Sequence, residues 1–209
     1  MLIIKPSVEI ITPIQAMTVM KRIEEIGRTC YKSEAKMTKG SEAKFVEKLI
    51  NSGHESVLEH CTLSVRFTVD RGVSHEIVRH RIASYSQEST RYCNYAQDKF
   101  GKEITVIEPC YLEPNTSRYL IWKTTCESCE IAYMALLGQG CKPEEARAVL
   151  PMSLKTELVM TANIREWRHF LKQRCSPAAH PQMREVALVL RNQLVEGLPH
   201  LFKDLVEVG

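Results

Sequence analysis

The chain has 209 residues, 44% of them hydrophobic, with 28 Lys plus Arg against 25 Asp plus Glu for a net charge of +3. That length favours one large domain with ample material for a buried core. So mild a charge balance argues against a nucleic-acid coat or a membrane-surface protein, and any grip on anions must come from local placement of arginines.

Met1 to Lys5 is a short apolar run that soon meets Pro6 and Glu9. It lacks the basic flank and long apolar stretch of an export signal. No segment approaches the roughly 20 apolar residues that a membrane span needs. The expected location is therefore the cytosol, where eight cysteines read as reduced thiols rather than a disulfide framework.

A helix is predicted from Pro13 to Arg28, with Thr12 as its cap and Pro13 in the first turn. A second follows Ser41, turning Phe45, Leu49 and Ile50 inward and stopping at Gly53. Cys61 to Val69 alternates Leu63, Val65, Phe67 and Val69 with polar residues, which predicts a half-buried strand ended by Asp70-Arg71-Gly72. A short helix is expected over Ser74 to Arg81, then a polar, aperiodic segment to Asn94. Ile104 to Ile107 reads as a second strand. Further helices are predicted at Ser117 to Leu137, Pro143 to Leu150, Ser153 to Ala162, Ile164 to Arg174 and Pro181 to Glu196. No Pro/Gly-rich linker divides the chain, so the expectation is a single α+β domain over residues 1–209, with a small antiparallel sheet and several helices.

Cys126 and Cys129 have CxxC spacing, but no second pair completes a tetrahedral zinc site. Tyr119, Trp122, Cys126, Cys129, Tyr133 and Leu136 recur at three- and four-residue steps, so the pair reads as part of a buried helix face. No metal site is expected.

The aperiodic segment carries the most chemistry. Arg79, Arg81 and Arg91, with His80 and the hydroxyls of Ser84, Ser86, Ser89 and Thr90, fall within fourteen positions. Guanidinium forks suit phosphate and carboxylate oxygens, and backbone amides in such a turn can form an anion nest. Composition alone leaves a phosphate grip and a solvated polar loop about equally supported.

Residue order separates them. Arg79-His80-Arg81, seven residues and then Ser89 resembles the signature of flavin-dependent thymidylate synthases, and Ser89-Thr90-Arg91-Tyr92 continues the likeness. Gly53-His54-Glu55-Ser56 through Glu59-His60 is similar to another stretch of that family. So are Ala146-Arg147 through Pro151, Asn163-Ile164-Arg165 through Arg174, and Ala179-His180-Pro181 through Arg184. The resemblance spans about residues 20 to 195.

It implies a homotetramer with active sites shared between subunits. FAD would be held by Ser56, Arg79, His80, Arg81, Gln87, Asn163, Ile164, Arg165 and His169. The substrate dUMP would meet Glu76, Ile77, Val78 and Arg79 on one wall, and Gln87, Glu88, Ser89, Thr90, Arg91, Arg147 and Arg174 elsewhere. Arg91 and Arg147 are the implied phosphate partners. Arg174 would favour ionisation of the uracil while staying protonated, and His54 would lie on the folate and flavin side. The plainer alternatives are a capping Asn163 with a solvated Arg165, and a helix-terminal His54. The implied reaction makes dTMP from dUMP with 5,10-methylenetetrahydrofolate and NADPH as co-substrates. Ser89 lacks an evident general base, so the resemblance implies binding through it rather than a covalent adduct.

The chain departs from the commonest family pattern at several places. Ser86-Gln87 stands where Asn-Glu is frequent, Glu76 where glutamine is common and His169 where asparagine is common. Ala178 and Gln182 replace a histidine and a glutamate. Glu88 could supply the missing carboxylate only if the loop shifts. Two rival readings follow: a flavin enzyme with another outcome, such as hydroxymethylation, and a non-catalytic nucleotide or nucleic-acid binder. The second predicts salt-dependent nucleic-acid binding without flavin.

Overall fold

The structure, a computed structural model, describes residues 1–208, with side chains through Val206. Its backbone groups into two compact units, each assembled from separated stretches of sequence. Among the described residues, one comprises 1–7, 67–79 and 85–159; the other comprises 8–66, 80–84 and 160–208.

The secondary structure is α+β. Strands β2 (Ser7–Ile10), β3 (Thr62–Asp70), β4 (Ala83–Gln87) and β6 (Lys155–Asn163) form one sheet in the order β2-β3-β6-β4. β3 and β6 run antiparallel. The Ile164 amide donates to Cys61 O at one end, and the Arg71 amide to Leu154 O at the other. A separate pair, β1 (Leu2–Ile4) with β5 (Thr105–Ile107), is parallel, in the register Leu2 to Thr105.

β3 forms as its alternation dictates, with Leu63, Val65, Phe67 and Val69 all buried. β6 corrects the helix predicted over Ser153 to Ala162. Lys155, Glu157, Leu158, Met160 and Ala162 are good helix formers, but Thr156, Leu158, Met160 and Ala162 are buried at every second position. Flanked by β3 and β4, this segment gains a full ladder of hydrogen bonds, which outweighs its local propensity. β4 lies inside the segment read as aperiodic, and neither N-terminal strand was evident from local pattern.

In the first unit, α3 (Arg71–Ile77) begins three residues before the predicted start because Asp70 caps it, accepting from the Val73 amide at 2.8 Å. The long helix α4 (Ser117–Gly138) starts at its Thr116 cap and buries Cys126 and Tyr133. These pack with Tyr95, Ile104, Val106 and Leu154. Cys126 is thus core, its thiol pushed up to about 11 by burial, and all eight cysteines are free thiols. The helix predicted over Pro143 to Leu150 is a single turn, α5 (Pro143–Ala146), followed by a 3₁₀ turn, Arg147–Val149.

In the second unit, α1 (Ala16–Thr29) begins three residues later than predicted. Thr12 does not cap it; its hydroxyl accepts instead from the Ser64 amide of β3 at 2.9 Å. α2 (Ser41–Asn51) buries Val46 and Glu42, while Phe45, Leu49 and Ile50 are only half-buried. α1 and α2 come close at Gly27, where a Cβ would lie 2.7 Å from the Phe45 ring. α6 (Ile164–Arg174) and α7 (Pro181–Gly197) match their predicted spans closely, and α8 (Pro199–Phe202) follows.

Trp167 and Phe170 of α6 are fully buried, and the Trp167 indole donates to Leu63 O at 3.1 Å. Arg168, 1% exposed, ties α6 to the C-terminal segment. Its guanidinium donates to both Asp204 carboxylate oxygens (2.8 and 2.7 Å), to Glu55 (3.1 Å) and to the Leu201 carbonyl. Among the described residues, no helix is long and apolar enough to cross a membrane.

Candidate active site

The predicted site residues fall into two groups, one in each unit. In the second unit, α6 supplies the framework. Asn163 caps it, its Oδ1 accepting from the Glu166 amide at 2.8 Å. Asn163-x-x-Glu166 has the spacing of a reciprocal capping box, in which the glutamate reaches back to the cap. Here the Glu166 side chain turns away and meets His80 Nδ1 at 2.9 Å. The other ring nitrogen, Nε2, accepts from Arg174 Nε at 3.1 Å.

This geometry assigns the tautomer. Arg174 can only donate, so Nε2 holds the lone pair and Nδ1 carries the proton that Glu166 accepts. His80 is 4% exposed. Burial lowers its pKa below the ordinary 6.5; the Glu166 carboxylate opposes that shift and Arg174 adds to it. The ring is a neutral link between an anion and a cation. Phe170 packs on it at 4.8 Å, and His169 stands edge-on at 5.7 Å.

His80, Glu166 and His169 lie close enough to hold a metal ion. Both His80 nitrogens are already engaged, however, one by a guanidinium that would repel a cation. The cluster therefore reads as a hydrogen-bond chain.

A cleft of about 460 Å³ opens beside it, lined by Asn163, Arg165, Glu166, His169 and Lys172 among others. Arg165 is exposed and paired with Glu59 at 2.6 Å. Ile164 differs from expectation. Its side chain is fully buried and its amide is spent on Cys61, so it does not face this cleft. A larger groove of about 1080 Å³ in the same unit is lined by His54, Ser56 and Arg165. Gly53 turns the chain into it with a left-handed φ of 69°.

The second group lies in the first unit. Arg79 and Val78 are exposed, Glu76 is half-buried and Ile77 is a core residue. Ser89 opens a tight turn in which its Oγ accepts from the Arg91 amide at 3.3 Å. Thr90 is buried, and its hydroxyl accepts from exposed Arg147 at 3.2 Å. Arg91 is paired with Glu144 at 3.1 Å, both side chains well exposed. Such a pair is worth about 0–1 kcal/mol and yields readily to a phosphate.

The Gln87 departure is accommodated in place. Its Nε2 donates to Ser74 Oγ (3.0 Å) and Thr156 Oγ1 (3.2 Å). A carboxylate at this position could accept from Thr156, but the Ser74 hydroxyl already donates to Arg71 O at 2.9 Å and would have to give up that bond. Glu88 does not take over: its carboxylate accepts from Tyr95 (3.2 Å) and Lys155 (2.9 Å).

An Arg-His-Arg run whose histidine is locked between Glu166 and Arg174, above an α6 that begins Asn-x-Arg, is a specific arrangement. Residues 14–200 match the family model described as thymidylate synthase complementing protein. The chain belongs to this family. It is 35% identical over 185 residues to the flavin-dependent thymidylate synthase of Geobacter sulfurreducens, covering 85% of this chain and 78% of that protein. Its identity to the protein of that name from Mycolicibacterium gilvum is 33% over 200 residues, with 87% and 78% covered. To the one from Pyrococcus furiosus it is 30% over 187 residues, with 88% and 75% covered.

Glu166, which orients His80, was not singled out from sequence. Its only sequence signal was the capping-box spacing, which points to a structural role.

Proposed function

We propose that this chain is a flavin-dependent thymidylate synthase, forming dTMP from dUMP with FAD, 5,10-methylenetetrahydrofolate and NADPH. The observation that carries the reading is the Arg174–His80–Glu166 chain inside the Arg-His-Arg segment of a family member. The protein acts in the cytosol as a homotetramer with sites shared between subunits.

The donor set fits a flavin dinucleotide. Arg79, Arg81 and Arg165 offer guanidinium forks for a pyrophosphate. Asn163 keeps its amide NH₂ for a ligand, because only its Oδ1 is used in capping. Ser56 and His169 add a hydroxyl and an imidazole. Bound there, FAD supplies the hydride-transfer chemistry.

The chain's own residues then bind and orient. Arg91 and Arg147 take the dUMP phosphate, with Ser89 and Thr90 adding hydroxyls. Arg174 stabilises negative charge on the uracil while remaining protonated. His80, pinned by Glu166, fixes the plane of that guanidinium. His54 closes the folate side of the pocket.

The test is dTMP formation by purified protein with dUMP, methylenetetrahydrofolate and NADPH, with and without FAD. FAD-dependent dTMP is expected. A folded, flavin-bound protein that makes none sinks the reading.

A further inference from the structure

The groove that holds His54, Ser56 and Arg165 has a rim that the reaction above does not use. Lys36 and Lys39 stand on the segment before α2, and Lys44 and Lys48 on α2 itself. All four are exposed, and none makes an ion pair among the described residues. The other cations lining the groove are neutralised: Arg28 by Glu24 and Arg165 by Glu59. So is its one acid, Glu55, by Arg168. The groove therefore carries an uncompensated charge of four lysines over a floor of Phe45, Leu49 and Val57.

We propose that this lysine rim binds the poly-γ-glutamate tail of the folate co-substrate; the inference rests on the reading of the chain as a folate-using enzyme. Three features select such a tail over a compact phosphate. The charges are lysines, point charges suited to separate carboxylates, rather than the forked arginines that close on one phosphate. They are strung out, with Lys44 and Lys48 one helical turn apart, roughly 5–6 Å between Cβ atoms, and Lys36 and Lys39 on a different segment. The groove also runs to His54, so a pterin seated there would leave its glutamates to follow the rim. Each added γ-glutamate brings one more carboxylate on a flexible amide-linked spacer. The contacts are solvent-exposed, so the attraction is screened by salt.

The test is equilibrium binding of tetrahydrofolate monoglutamate and pentaglutamate to the flavin-loaded protein, and to its Lys44→Gln/Lys48→Gln variant. The wild type should bind the pentaglutamate about tenfold more tightly, as expected for several exposed ion pairs acting together, with the preference shrinking at high salt. The variant should lose most of that ratio and keep its affinity for the monoglutamate. Equal binding of the two forms by the wild type overturns the proposal, with no variant needed. So does a ratio that survives in the variant. Binding is read without turnover, so a protein that prefers pentaglutamate yet makes no dTMP would sink the thymidylate synthase reading alone.

Discussion

Glu166 accepts from His80 Nδ1 at 2.9 Å, and that single contact determines what the opposite nitrogen presents to Arg174. With the proton held on Nδ1, Nε2 is an acceptor, and the Arg174 Nε–H has a partner at 3.1 Å. Glu166 is 8% exposed, and no ligand need touch it for this to operate.

Replacing Glu166 with Gln removes the charge, and its amide can either accept from Nδ1 through Oε1 or donate to it through Nε2. The Nδ1–H tautomer is then held by a weaker, uncharged contact and is no longer enforced against the Arg174 N–H. A charge-assisted hydrogen bond is worth about 1.5–3 kcal/mol, so kcat should fall roughly tenfold to a hundredfold with a smaller change in the KM for dUMP. Nitrogen NMR of His80 should show the Nδ1–H tautomer less fully populated than in the wild type. An unchanged tautomer with normal turnover would remove Glu166 from the mechanism.

The same site makes stability depend on pH. His80 has its folded pKa depressed below 6.5, chiefly by burial. Between the folded value and 6.5 the unfolded chain binds the extra proton and the folded one does not, so stability falls as pH drops through 6.5. Asp204, by contrast, has its pKa lowered: burial opposes ionisation but Arg168 outweighs it, so its contribution is lost only below the carboxylate's ordinary 3.8. Thermal melts from pH 7.5 to 5 should show the loss, and the His80→Gln variant should show less of it. A wild-type melting temperature flat across that window would contradict the assignment.

Ser89 is held by its turn rather than by a base: its recorded partner is the Arg91 amide. The Ser89→Ala protein should keep measurable dTMP formation, with the main change in the KM for dUMP. Steady-state kinetics would decide this. Complete loss of turnover with intact dUMP binding would point to a nucleophilic serine instead.

Arg168 is the buried cation that joins α6 to Glu55 and to Asp204. Substituting Met strands Asp204 and leaves Glu55 with Lys172 at 3.6 Å, and breaking such a pair costs about 3–5 kcal/mol when the survivor stays buried. Glu55 and Asp204 are partly solvated, so the lower end is expected, a fall of roughly 6–12 °C in Tm. The Asp204→Asn change leaves Arg168 its Glu55 contact and should cost less. A melting temperature within a degree or two of wild type for Arg168→Met would refute this.

The family signature and much of the secondary structure were legible from local sequence. The Arg79-His80-Arg81…Ser89 spacing, the period-two pattern of β3 and the proline and cap signals of α6 and α7 each depend on residues a few positions apart. Such patterns survive translation into structure because the forces behind them are local. The β6 segment shows the opposite. Lys155 to Asn163 mixes helix formers with Thr and Val, and its place between β3 and β4 makes it a strand; the Ile164 amide that follows it donates to Cys61 O.

The sequence by itself therefore determined the family and most of the helices, and it singled out the arginines proposed to grip anions. Tertiary structure alone decided that β6 is a strand, that the segment before Ser89 holds β4, that Ile164 is core and that Glu166 serves His80 rather than its own helix end. It also gathered Lys36, Lys39, Lys44 and Lys48 around one groove. The reason is physical: strand pairing, burial and buried charge contacts join residues far apart along the chain, and no short window of sequence contains both partners.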